Sequence, residues 1–242
     1  MISEKEKIKL NNLEKRIKVK FDDISLLKQA LVHRSYLNEA KDSKLIHNER
    51  LEFLGDAVLE LIVTKYLYAE YPERNEGDLT SFRAATVRTE SLADTALEIE
   101  LGDYIYMSKG EESTGGRTRP YILANTFEAL LGAIYLSEGI ETSTTFVETF
   151  LLPKVAEIVE KRLDIDSKSK LQEVAQEELS ITPDYELIST KGPDHSKTFT
   201  MAVLIGDHRL GTGEGKSKQE AEQNAAQDAL DDWQQLVKTY FS

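Results

Sequence analysis

The chain has 242 residues, with 30 Lys+Arg against 43 Asp+Glu for a formal net charge of −13, and no cysteine. That length holds one large domain or two modest ones, and the lack of cysteine excludes disulfides, thiolate metal sites and cysteine nucleophiles. The acidic balance argues against a nucleic-acid partner, which wants a basic surface, unless a carboxylate cluster built to hold metal inflates the count.

The first stretch, "MISEKEKIKLNNLEKR", is charged and lacks the apolar centre of a signal peptide. No apolar run approaches the roughly 20 residues of a membrane span. The expectation is a cytoplasmic protein with no membrane partner. From Lys5 to about Arg162 the pattern is helical. Asp22 or Asp23 can cap "ISLLKQALVH". Residues from about Asn48 to Tyr71 read as one long helix ended by Pro72. In "NEGDLTSFRAATVRTESLADTALEI", Asp78 is a candidate N-cap for a long helical run. "GEESTGGR" reads as a glycine-rich loop. "YILANTFEALLGAIYLSEG" is a strongly apolar helix closed by Gly139. "TSTTFVETFLLPKVAEIVEKRL" is a further helix, interrupted at Pro153.

The texture then changes. "DIDSKSK" reads as a polar linker, bounded at 164–168 between a helical unit at 1–163 and a second unit at 169–242. The second unit begins with the helix "KLQEVAQEEL". The strands "DYELISTKG", "TFTMAVLIG" and "HRLGTGEG" follow, and then the helix "SKQEAEQNAAQDALDDWQQL". The predicted architecture is an all-α unit followed by a small α+β unit of order α-β-β-β-α.

The chemistry is concentrated in acids. On a wheel of about 100° per residue, Glu49, Glu52 and Asp56 of "NERLEFLGDAVLEL" fall within about 60° of one another, while Leu51, Leu54, Val58, Leu61 and Ile62 take the opposite side. Like charges at this spacing repel. The bland explanation is a solvated face; the alternative is a cation among them. In "ANTFEALLGAIYL", Asn125 and Glu128 share a face among almost wholly apolar neighbours. A carboxylate there needs a salt bridge, for instance to Arg50 or Arg83, or a metal. "NEGD" adds Glu76. A site of oxygen donors favours Mg²⁺ or Mn²⁺ over Zn²⁺ or Cu²⁺. A di-iron bundle would need Glu-x-x-His, and none of His33, His47, His195 and His208 has Glu three residues before it.

"HNERLEFLGDAVLEL", with "ALVHRSY", "NEGDLTSFRAATV" and "ANTFEALLGAIYL" in that order, resembles the ribonuclease III family, and the C-terminal α-β-β-β-α unit resembles its double-stranded RNA-binding domain. The resemblance covers essentially the whole chain. It implies a homodimeric, Mg²⁺-dependent endonuclease of double-stranded RNA, with Mn²⁺ as a substitute and no organic cofactor. Such an enzyme leaves 5′-phosphate and 3′-hydroxyl ends with a short 3′ overhang and serves rRNA, mRNA and small-RNA processing. Glu52, Asp56, Asn125 and Glu128 would hold metal. Asp56, Glu128, Glu49 and Glu76 would form the catalytic set, the last two as outer acids. The metal would activate a water for in-line attack and stabilise the leaving 3′ oxygen. Phe53, on the acid side of its helix, would insert into the partner subunit. One position departs from the family: Asn125 stands where Asp is usual. An amide oxygen can still coordinate Mg²⁺ but adds no charge, so weaker metal binding, restored by higher Mg²⁺, is expected.

In the second unit the resemblance implies three RNA contacts. They are Gln172 and Glu173 on the first helix, His195 in "GPDHS", and Lys216, Ser217 and Lys218 opening the last helix. The pattern is thinned, because Gln219 and Glu220 stand where relatives often carry cations. Residues 167–242 hold 8 Lys+Arg against 13 Asp+Glu, a net of −5. Weak, salt-sensitive duplex binding by this unit alone is expected. Arg117 and Arg119 of "GRTR" are candidates for further backbone contacts. His33 is expected to be structural and Trp233 to pack at the end of the last helix. "STGG", Ser113 to Gly116, is too short for a phosphate loop. Two rivals remain: a duplex-binding protein that cuts poorly because of Asn125, and a structural assembly part such as a ribosomal one. The otherwise intact acids speak against both.

Overall fold

The computed structural model describes residues 3–40, 45–160, 166–193 and 197–241. Its contacts divide the chain into two compact units, Met1–Asp164 and Ile165–Ser242.

The first unit is helical. Helix α1 (Glu4–Ile17) opens with a capping box of Ser3 and Glu6, and α2 (Ile24–Ala30) is capped by Asp23. A 3₁₀ turn over Arg34–Asn38 leads to α3 (Glu49–Glu70), which ends before Pro72. Helices α4 (Glu76–Val87) and α5 (Thr89–Glu98) follow, then α6 (Lys109–Ser113), α7 (Pro120–Phe150) and α8 (Val155–Glu160). The spine is α7. Between Ile122 and Ile134 only Asn125 and Glu128 escape full burial, because this segment is apolar all round and α2, α3 and α5 pack against it. Gly139 (φ 80°, ψ −174°) breaks α7 as its position predicts, and a 3₁₀ turn at Leu152–Lys154 marks the interruption at Pro153.

Several boundaries differ from the reading of the sequence. Asn75, not Asp78, caps α4, and its side chain accepts from the Asp78 amide at 2.9 Å. The long run after it is two helices, parted where Arg88 turns extended (φ −63°, ψ 155°) with neither Gly nor Pro to signal it. "GEESTGGR" is not a plain loop: it overlaps α6 and a 3₁₀ turn over Gly116–Thr118. Leu61, assigned to the buried stripe of α3, is 60% exposed.

The second unit is an antiparallel sheet of order β1-β2-β3 (Asp184–Lys191, Thr198–Ile205, His208–Gly215) with helices on one face. Helix α9 (Ser167–Leu179) starts inside the polar stretch read as linker, because Asp166 accepts from the amide and hydroxyl of Ser169 and nucleates it early. The C-terminal helix is two, α10 (Lys218–Asp231) and α11 (Trp233–Tyr240). Leu171, Ala175, Val203, Ile205, Leu210, Ala225, Ala229 and Trp233 form the core. Trp233 packs as expected and donates to Glu178 at 3.1 Å. Gly211, Gly213 and Gly215 of β3 lie directly against α10, whose Ala221, Ala225 and Ala229 recur one per turn. A Cβ on any of the three glycines would overlap helix backbone.

Candidate active site

The acids meet where α3 crosses α7, and two glycines set that crossing. A Cβ on Gly55 would overlap the Glu128 carbonyl oxygen and come within 2.9 Å of the Gly132 amide. A Cβ on Gly132 would overlap the Leu51 carbonyl oxygen. The backbones therefore touch, with no side chain to hold them apart. Glu52 and Asp56 flank Gly55 on one helix, and Glu128 lies one turn before Gly132 on the other. Sequence reasoning alone misses this pair. The available signal was a glycine inside each of two otherwise good helices, which usually marks close packing.

Proximity is visible in the electrostatics. The Glu128 carboxyl is pushed up to about 7, first by burial and then by the charges of Asp56 and Glu52. Glu52 is also raised, by burial and by Glu49 and Asp56, while a hydrogen bond from Asn125 steadies its ionised form. Glu52, Asp56 and Glu128 enter no ion pair among the described residues. Arg83 donates instead to the Thr64 hydroxyl at 3.0 Å, so the ordinary explanation for a half-buried Glu128 fails. As they stand, no three His, Asp or Glu side chains among the described residues close on one point. The donors are nonetheless those of a hard cation: carboxylate oxygens and one amide, mutually repelling and uncompensated.

Glu49, Glu52 and Asn125 line a cleft of about 610 Å³, with His33, Arg34 and Tyr121 among its walls. Its edge is pinned by backbone. The Val32 carbonyl accepts from the Asn48 amide at 2.9 Å, the buried Asn48 side chain donates to the Ala30 carbonyl at 3.2 Å, and His33 N–H donates to Tyr106. His33 is structural, as expected: its Nδ1 lies 2.8 Å from the Ser35 hydroxyl, and burial holds its pKa below the usual value. Glu76 opens α4 as an exposed first-turn residue and is not among the residues lining the cleft. Arg117 and Arg119 are not free for a ligand. Arg117 donates to the Gly102 and Ile105 carbonyls and to Glu112, and Arg119 pairs with Glu111 and donates to Thr114. Phe53 is 81% exposed on α3.

In the second unit Gln172 lies on α9 and lines a hollow with Lys168, Tyr185 and Gln219. Glu173 is exposed and paired with Lys170 at 2.9 Å. Ser217 caps α10, accepting from the Glu220 amide at 3.1 Å, and the Glu220 carboxylate accepts from the Lys216 amide at 2.7 Å. Glu220, a departure from the basic pattern, thus completes the cap that holds Lys216 and Lys218 at the helix start. His195 lies outside the described residues.

A helical unit with paired acids at a glycine crossing, followed by an α-β-β-β-α unit, is the arrangement of one class of nuclease. The Ribonuclease-III-like family matches residues 23–155 and the double-stranded RNA binding motif residues 167–232. The chain belongs to the ribonuclease III family and is an endoribonuclease of double-stranded RNA. Among curated relatives, Ribonuclease 3 of Pelotomaculum thermopropionicum is 48% identical over 222 residues, covering 92% of each chain. That of Enterococcus faecalis is 47% identical, covering 90% of this chain and 94% of the relative. Two solved structures of the nuclease domain of ribonuclease III from Campylobacter jejuni are also similar. One shares 42% identity at a TM-score of 0.54 over 58% of this chain and 92% of that one. The other, described for flexibility in a region involved in dimer formation, shares 43% identity at a TM-score of 0.53 over 57% and 93%.

Proposed function

We propose that the protein is a cytoplasmic, homodimeric, Mg²⁺-dependent enzyme. It cuts duplex RNA to 5′-phosphate and 3′-hydroxyl ends with a short 3′ overhang, in rRNA, mRNA and small-RNA processing. The observation that carries this reading is the Glu128 carboxyl. It is pushed up to about 7 beside Asp56 and Glu52, with Asn125 on its own helix face and no cation paired to it among the described residues. Glu52, Asp56, Glu128 and the amide oxygen of Asn125 would hold the ion, and Mn²⁺ could replace Mg²⁺. When bound, the ion supplies positive charge that acidifies water and offsets the charge of the phosphodiester. Glu49 and Glu76 serve as outer acids. Asn125, which already hydrogen-bonds Glu52, partly offsets the upward shift that burial and the neighbouring acids give that carboxyl.

Dimerisation draws support from the exposure of Phe53, Leu61 and Tyr68 along α3 and from the dimer-forming region named for the C. jejuni domain. Duplex binding is assigned to Gln172, Glu173, His195, Lys216, Ser217 and Lys218. The test is cleavage of end-labelled duplex RNA across a Mg²⁺ titration. Asn125→Asp is expected to reach half-maximal rate at lower Mg²⁺, and Glu128→Gln to abolish cutting. A wild type that binds duplex and never cuts, even with Mn²⁺, refutes the proposed site.

A further inference from the structure

The cleft lined by Glu49, Glu52 and Asn125 must also accept a polyanion, and the carboxylates among its lining residues, Glu49, Glu52 and Glu111, oppose one. Among its described lining residues Arg34 is the one lysine or arginine. His33 beside it is held below its usual pKa by burial, which favours the neutral ring at neutral pH. Arg119 is not among the residues lining the cleft, and its guanidinium is engaged by Glu111 and Thr114. Arg34 differs. Its side chain is 75% exposed, it donates no hydrogen bond among the described residues, and its nearest acid, Glu49, is 3.9 Å away. An exposed pair at that distance contributes little to stability, so the guanidinium remains available to a ligand.

Arg34 is nevertheless placed with care. It is the first residue of a 3₁₀ turn whose N-cap is His33. That turn is fixed by the Val32–Tyr106 bridge and by the Ser35 hydroxyl, which accepts from the Ser108 amide at 3.0 Å. An exposed, loosely paired cation on a fixed turn, in the wall of a cleft that also holds carboxylates, suits a group that must be held beside the reacting phosphate and not at it. A guanidinium matches a phosphate with two parallel donors.

We infer that Arg34 is a positioning residue for the endonuclease reaction: it binds a backbone phosphate of the cut strand next to the scissile one, giving up its loose contact with Glu49 when RNA enters. This rests on the cleft being the place of cleavage. A phosphate contact of this kind leaves a signature that a structural role does not. Counterions released from RNA on binding make affinity fall with salt, and each lost contact lowers the slope of log K against log[salt] by about one.

The experiment uses the full-length protein. Duplex RNA binding is measured over a range of salt in the Glu128→Gln background, where RNA is not consumed, with and without Arg34→Ala and Arg34→Lys. Steady-state cleavage is measured for the two Arg34 variants alone. The expected result is a slope shallower by about one for Arg34→Ala, with Arg34→Lys keeping the slope. In cleavage, Arg34→Ala should lose about tenfold in kcat/KM, mostly through KM, near physiological salt, and the gap should narrow as salt rises. Unchanged slope and KM in Arg34→Ala overturn the inference, and so does a changed Mg²⁺ requirement with unchanged slope, since Arg34 would then only neutralise Glu49. If Glu128→Gln cuts like the wild type, the active-site reading itself falls and takes the inference with it.

Discussion

Both halves of the molecule are built on a contact too close for a side chain, and the two contacts do different work. In the helical unit Gly55 and Gly132 face each other across two helices, each against the other's backbone. In the second unit three glycines of β3 meet a stripe of alanines on α10. The first contact forces carboxylates together against their own repulsion, with Glu128 pushed up to about 7 as a result. The second brings nothing charged into the core. It seats the helix that begins at Lys218, with Lys216 just before its Ser217 cap. Chemistry on a phosphodiester needs donors fixed to fractions of an ångström. Recognition of duplex shape needs only cations presented on a rigid frame. The same device, close backbone approach through glycine, sets both the acid cluster and the helix that starts at Lys218.

Breaking the first contact should have the largest effect. Gly55→Ala places a methyl group on the Glu128 carbonyl, and relief requires backbone, not a side chain, to move. Overpacking of this kind typically costs about 1–3 kcal/mol and occasionally more, and here it also separates the acids. Cleavage should fall below detection, with the chemical denaturation midpoint of the helical unit lowered. Wild-type rate in Gly55→Ala would show that the crossing does not set the site. Breaking the second contact should be more selective. Gly213→Ala collides with the Ala225 amide and the Ala221 carbonyl. It should unfold the α+β unit and weaken duplex binding at ordinary salt, while cutting at low salt and high enzyme concentration persists.

The charge on the first contact gives a smaller effect with a definite sign. Glu128 moves from 4.5 to about 7 on folding. Folding therefore favours its protonated form. That contribution is whole below pH 4.5 and is lost as the pH rises through about 7. Metal-free protein should lose thermal stability over that window, and Glu52, raised in the same direction, adds to the loss. Mg²⁺ at neutral pH should restore it by binding the ionised cluster. In Glu128→Gln both the pH slope and the Mg²⁺ response should shrink. A thermal unfolding series across pH, with and without Mg²⁺, decides this, and a stability that rises with pH in metal-free protein would contradict it.

Much of this could be read from the sequence, and the rest fails for identifiable reasons. The acids of α3 are legible because Glu49, Glu52 and Asp56 recur at helical spacing, and Asn125 with Glu128 because they are polar in an apolar helix. Which helix lies against which is not a property of either segment, so the Gly55–Gly132 crossing that unites the two groups is invisible until the structure is seen. Leu61 sits at the margin of the α3 stripe, where a wheel cannot decide between core and an apolar face left open. The choice of Asn75 over Asp78 as cap is settled by three residues of geometry, since either side chain can accept an amide. The break at Arg88 carries no Gly or Pro. Arg117 and Arg119 look like phosphate ligands in one dimension. In three, Arg117 binds the Gly102 and Ile105 carbonyls beyond α6, and Arg119 pairs with Glu111.

The smallest expected effect tests the far end of the comparison. Lys218 is the first residue of α10 and exposed, held by a cap that Ser217 and Glu220 form without it. Lys218→Ala should leave the fold and the chemical step unchanged, because neither the cap nor the glycine–alanine contact involves its side chain. What it should remove is one cation at a helix N-terminus already suited to phosphate. Duplex affinity should drop a few-fold, and the salt slope should become shallower by about one. The unit's net charge of −5 over residues 167–242 sharpens that expectation. In a unit with so few cations, each phosphate contact is a large share of the total, so the fractional change in slope should exceed that in a lysine-rich unit. A larger loss than this, accompanied by a lower unfolding midpoint, would mean that Lys218 supports the helix and not the RNA. Adding a cation with Gln219→Lys should then deepen the salt slope only if the first turn of α10 truly faces phosphate.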